Sequence, residues 1–91
     1  MVSTKATIIN PSGLHARPAS EFAKAAKKYE SAITVCNLAE DPALSVNAKS
    51  VIKILSLGIG QGCEVEIRAE GIDEKDAAEG LAALISSGFG E

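Results

Sequence analysis

Cys63-Glu64-Val65-Glu66-Ile67-Arg68-Ala69 alternates without a break, with Cys63, Val65, Ile67 and Ala69 on one side and Glu64, Glu66 and Arg68 on the other. A side-chain period of two belongs to a strand with one face buried and one in water. With Gly62 before it and Gly71 after it, the stretch predicts a strand central in a sheet that is covered on one side only. Just upstream, Gly58-Ile59-Gly60-Gln61-Gly62 has a GxGxG spacing. It leads into a strand rather than from a strand into a helix, so we assign it to chain geometry and not to nucleotide binding.

The rest of the chain supplies partners for that strand and a cover for its apolar face. Thr4 to Asn10 sets Ala6 and Ile8 against Lys5 and Thr7, and Ser31 to Leu38 sets Ile33 and Val35 against Thr34 and Cys36. Leu44 to Asn47 reads as a short strand returning antiparallel after the loop Ala39-Glu40-Asp41-Pro42-Ala43. Ala16 to Tyr29 places Ala16, Ala19, Phe22, Ala23 and Ala26 at helical spacing, a small-residue face suited to close packing on a sheet. Ser50 is placed to cap a short helix, Val51-Ile52-Lys53-Ile54-Leu55, that is apolar nearly all round and so leaves part of Val51, Ile52 and Leu55 exposed. Asp73 is expected to cap a last helix with the stripe Ala77, Leu81, Leu84 and Ile85, and Gly88 lies near its end. The order β-α-β-β-α-β-α predicts an α+β open-faced β-sandwich, a four-stranded antiparallel sheet with helices on one face.

Composition narrows the function. Ninety-one residues, 46% hydrophobic and 23% charged, suit one domain over residues 1–91. No apolar run reaches membrane-spanning length and no signal-peptide core follows Met1, so we expect no membrane insertion and a cytoplasmic location. Cys36 and Cys63 are expected to be reduced, half-buried strand residues. One histidine and two distant cysteines do not make a metal site, no second histidine completes a hydrolytic triad, and no cofactor is implied. The net charge is −3, yet residues 1–29 carry Lys5, Arg17, Lys24, Lys27 and Lys28 against Glu21 alone. A basic first helix fits an acidic protein partner. Nucleic acid is disfavoured, because aromatic residues are only 3% of an acidic chain.

The chemistry concentrates in Asn10-Pro11-Ser12-Gly13-Leu14-His15-Ala16-Arg17-Pro18, a turn that runs straight into the first helix. His15 falls at the N-cap, where unpaired N–H groups and the positive end of the helix dipole converge. Arg17 adds a planar donor fork suited to phosphate, and Pro18 costs no hydrogen bond in the first turn. Both the dipole and Arg17 disfavour a positive charge on the ring, so the neutral, nucleophilic imidazole is favoured and a transferred phosphoryl group would be steadied. Reversible phosphorylation of His15 is the function that these residues suggest. The plainer alternative is a histidine that merely tolerates a helix start.

The blocks Asn10 to Ala19 with Gly-Leu-His-Ala-Arg-Pro-Ala at their centre, Val46-Asn47-Ala48-Lys49-Ser50 and Ser56 to Gly62 strongly resemble the HPr family, histidine phosphocarriers of the bacterial phosphoenolpyruvate-dependent sugar phosphotransferase system. The resemblance covers essentially the whole chain. It implies that His15 accepts a phosphoryl group at Nδ1 from enzyme I and passes it to sugar-specific IIA proteins, so that the chain is a carrier and not an enzyme. Arg17 matches the phosphate-stabilising arginine, with the backbone of Ala16 and Arg17 in contact with the phosphate. Leu14, Ser20, Lys24, Lys27, Val51, Ile52 and Leu55 match the docking surface. Ser50 matches a serine phosphorylated in many Gram-positive bacteria by an HPr kinase/phosphorylase, which links the family to a catabolite-control transcription factor. A monomer is expected. The loop Ala39 to Ala43 is longer than in most relatives, and Ile52 stands where Gram-positive members often have methionine. Two other readings follow from the same resemblance: a regulatory interaction module acting through Ser50 phosphate, and a paralogue serving a nitrogen-related or single-operon phosphorelay.

Overall fold

The computed structural model describes residues 1–91. Its elements are β1 (Val2–Thr7), α1 (Ala16–Ala26), β2 (Ala32–Asn37), β3 (Ser45–Asn47), α2 (Val51–Leu55), β4 (Glu64–Glu70) and α3 (Glu74–Ser86), followed by a 3-10 turn at Gly88–Gly90. The sheet order is β1-β4-β2-β3 with every pair antiparallel. The alternating strand is β4, and it lies inside the sheet with Ala6 opposite Val65 and Val35 opposite Ile67. The α+β open-faced sandwich expected from the sequence is the fold observed.

Helices α1 and α3 close the apolar face of the sheet. Ile33, Val35, Val65, Ile67 and Ala69 from the strands meet Phe22, Ala23, Ala26, Ala77, Leu81 and Ile85 from these helices, all buried. The opposite face is polar, with Ser3, Lys5 and Arg68 exposed and Arg68 Nη2 paired to Glu66 Oε1 at 2.7 Å. Gly80 lets α3 sit against Tyr29, since a methyl group there would stand 2.2 Å from the Tyr29 hydroxyl.

Several local expectations are corrected. Helix α1 ends at Ala26 and not at Tyr29, because Lys28 and Tyr29 donate to Ala25 and Ala26 in the tighter i→i−3 pattern of a terminating turn. Its buried stripe is Pro18, Ala19, Phe22, Ala23 and Ala26, whereas Ala16 is exposed at the open first turn. Cys63 precedes β4 and is only partly buried, while Cys36, in a strand flanked on both sides, is fully buried. Asp73 occupies the N-cap position of α3 but makes no cap bond with its side chain. Its carboxylate instead accepts from Glu30 N and Ser31 N, each at 2.9 Å, and from the Ser31 hydroxyl. That carboxylate clamps the β4–α3 turn to the start of β2. The Ser31 hydroxyl, followed by the Glu30 amide, holds it below the usual aspartate range.

Candidate functional site

The turn before α1 is built on a close approach between two backbones. Gly13 has φ +65°, and a Cβ on it would stand 2.6 Å from the Ile59 carbonyl oxygen and 2.7 Å from Gly60 Cα. No other residue type fits that position without displacing the 59–60 backbone. Leu14 N donates to Ile59 O at 3.0 Å, Gly62 N to Ile8 O at 2.7 Å, and Gln61 Nε2 to Ile9 O at 3.0 Å. The glycine-rich segment is therefore a cradle for residues 8–14, which is the geometric role assigned to it from the sequence. Asn10 closes the turn from inside: it is buried, and its Nδ2 donates to Gly13 O at 2.8 Å.

His15 is the N-cap of α1, with φ −86° and ψ −163°, and its exposed ring makes no capping bond. The His15 carbonyl accepts the first helical bond, from Ala19 N at 2.8 Å. Pro18 has no N–H, so the donors left free at the helix opening are the amides of Ala16 and Arg17. An exposed imidazole beside two free N–H groups can receive an anionic group and have its charge met at once.

The guanidinium of Arg17, read from the sequence as a donor fork suited to phosphate, is engaged by carboxylates in the structure. Its Nη1 donates to Glu21 Oε1 at 2.5 Å and its Nη2 to Glu91 Oε2 at 3.1 Å, and both reach the Phe89 carbonyl at 3.4 Å. Asn10, although inside the quoted turn, is given no role of its own by the sequence, and Glu91 is the member of the site that sequence reasoning missed. The only signal was Gly88-Phe89-Gly90, whose flanking glycines permit a sharp reversal.

Helix α2 lies against α1. Ser50 caps it, its Oγ accepting from Lys53 N at 3.3 Å, as expected. Ile52 is 79% exposed and Leu55 39%, Val51 is half-buried, and Ile54 faces the core. Ser20, Lys24 and Lys27 are exposed along α1. Leu14 departs from this set. It is 2% exposed and belongs to the core, because the bond from its amide to Ile59 turns the residue inward, so it supports the turn from beneath.

Residues 2–87 match the family described as PTS HPr component phosphorylation site. The phosphocarrier protein HPr of Buchnera aphidicola is 43% identical over 86 residues, 94% of this chain and 96% of that protein. The multiphosphoryl transfer protein of Haemophilus influenzae is 45% identical over 85 residues, which is 93% of this chain, and the chain spans 17% of that relative's own length. The crystal structure of HPr-C-His from Thermoanaerobacter tengcongensis gives a TM-score of 0.91 at 46% identity, covering 100% of this chain and 98% of that one. A match that runs from β1 into the end of α3, shared with full-length phosphocarriers of the same open-faced architecture, makes this chain a member of the PTS HPr family of phosphocarrier proteins.

Proposed function

We propose that residues 1–91 act as one HPr-like unit in the cytoplasm, with His15 as the phosphoryl acceptor, enzyme I as donor and IIA proteins or domains as acceptors. The observation that carries this reading is the exposed His15 ring at a helix opening whose two free amides belong to Ala16 and Arg17. The Nδ1 lone pair forms the new N–P bond as the donor's bond to phosphorus breaks, and the donor atom keeps that electron pair. The amides of Ala16 and Arg17 and the Arg17 guanidinium then face the phosphoryl oxygens, and the next acceptor reverses the step. Ile52 and Leu55 with half-buried Val51 form the apolar centre of the docking face, and Ser20, Lys24 and Lys27 form a polar and basic rim for acidic partners. Incubation with phosphoenolpyruvate and enzyme I should yield acid-labile label that is absent from His15→Ala. Acid-stable label, or label surviving that substitution, would refute the assignment.

A second role is supported by the position of Ser50, half-exposed and two residues before Ile52 in the chain. A phosphate there places a dianion at the border of the apolar patch, which opposes partners that dock through it and favours a partner with a basic surface. ATP with an HPr kinase/phosphorylase should give acid-stable label lost in Ser50→Ala.

A further inference from the structure

The loop from Leu38 to Leu44 takes no part in the phosphoryl site, yet its backbone is pinned at several points. Asn37 anchors it: the residue is buried, its Oδ1 accepts from Ala39 N at 3.0 Å, and its carbonyl accepts from Glu40 N at 3.2 Å and Asp41 N at 3.0 Å. Asp41 closes the return, its Oδ1 accepting from Ala43 N at 3.0 Å and its carbonyl from Leu44 N at 3.1 Å. The same Asn37 carboxamide donates from Nδ2 to the Leu57 carbonyl at 3.4 Å, which ties the root of the loop to the residues just after α2. Leu44 lies one step beyond the Cys36–Ser45 pair, opposite Asn37. A side-chain period of two puts it on the side of β3 that Val46 turns to the core, but Leu44 is 50% exposed.

Helix α2 packs against both α1 and β3. Its exposed patch of Ile52 and Leu55 is therefore bordered by Lys24 and Lys27 through the one, and by Leu44 and the loop through the other. Past Leu44 the charge changes sign. Glu40 is exposed and belongs to none of the ion pairs within the chain, so its carboxylate is free to meet a cation from outside. The loop backbone beneath it is already fixed by the Asn37 and Asp41 bonds, which lowers the ordering cost of such a contact. We propose that this loop is a second rim of the docking face, selecting phosphoryl acceptors that present a lysine or arginine beside the apolar surface that covers Leu44. The inference rests on the assignment of α2 as the docking face. An acceptor with a carboxylate at that place is repelled by Glu40 and one with a cation is favoured, so the loop separates acceptors that the α1 lysines alone would treat alike. In the proposed relay one donor serves several acceptors, and discrimination of this kind acts at the acceptor step.

The test uses the full chain phosphorylated on His15 and a panel of IIA proteins, the fastest acceptor of which is the probe. Glu40→Lys should raise the KM for that acceptor about three- to fivefold at low salt, the scale of an exposed ion pair, with kcat unchanged and the difference closing as salt rises. Leu44→Ser should raise the KM about three- to tenfold through lost apolar burial, with little dependence on salt. In an NMR titration of the unphosphorylated parent with the same acceptor, the amides of Ala39, Glu40 and Leu44 should shift together with those of Ile52 and Leu55. A KM unmoved by Glu40→Lys would overturn the proposal whatever Leu44→Ser does, since that side chain reads recognition alone. Loop amides that stay silent while those of Ile52 and Leu55 shift would overturn it as well. If Ile52 and Leu55 are silent too, the inference falls together with the docking face, while a parent that still relays label through His15 keeps the acceptor assignment.

Discussion

Arg17 has carboxylate contacts in the structure and a proposed role at the phosphoryl group, and its replacement separates the two. In the free protein it pairs with Glu21 and Glu91 at the surface, contacts of the kind that contribute under about 1 kcal/mol each. Loss of a guanidinium aimed at a transferring phosphoryl group costs far more, about a hundred- to a thousandfold in rate. Arg17→Ala is therefore expected to slow phosphoryl transfer by that factor while shifting the melting temperature little. A variant that relays at the parent rate would remove Arg17 from the chemistry. Asp73 shows the opposite balance, structure without chemistry. Its folded-state value is depressed, so its stabilisation is complete above the unfolded value of about 3.9 and disappears as pH falls through the lower folded one. Asp73→Asn should melt below the parent at neutral pH, and the gap should narrow on acidification below about pH 4. A gap constant with pH would show that the carboxylate charge is not what Ser31 and Glu30 recognise.

Helix α2 divides its side chains between two tasks within a single turn and a half. Ile54 is buried and Ile52 is exposed, so the same kind of substitution has different consequences two residues apart. Ile54→Ala should cost about 2–5 kcal/mol in chemical denaturation. Ile52→Glu should leave stability nearly unchanged and weaken partner binding by about tenfold or more, as removal of a central apolar anchor does. Reduced stability without reduced binding would place the docking face elsewhere. The elements themselves were legible in the sequence because alternation in β4 and the cap at Ser50 are local signals. The role of Asp73 was not. An aspartate before a helix reads as its cap, and only the folded chain brings the Ser31 hydroxyl and the amides of residues 30 and 31 within reach to outcompete it. Leu14 was misplaced for a similar reason, since its inward turn depends on a bond to Ile59, remote in sequence.

Across the whole molecule, Arg17, Lys24, Lys27, Lys28, Lys49 and Lys53 lie on α1 and α2 or on the residues flanking them, although the chain has a net charge of −3. Association with an acidic partner should therefore slow as ionic strength rises, because screening removes the steering field. Stopped-flow association rates that do not change with salt would mean that Lys24 and Lys27 do not guide docking. The topology and the helix-opening histidine were readable because each is written in a contiguous run of residues. The Glu91 contact was not, since it joins residues at opposite ends of the sequence through a strained Gly-Phe-Gly reversal that no periodicity announces.

The buried anchor of Leu14 and the glycine contact behind it have a consequence for traffic. With the residue before it locked into the core and the turn pressed on the 59–60 backbone, His15 cannot swing as a tethered arm between two stations. In the proposed relay, donor and acceptor would each have to travel to the same small landing area, one leaving before the other docks. Throughput then depends on how fast each visitor leaves, so a mutation that tightens either embrace would slow the relay.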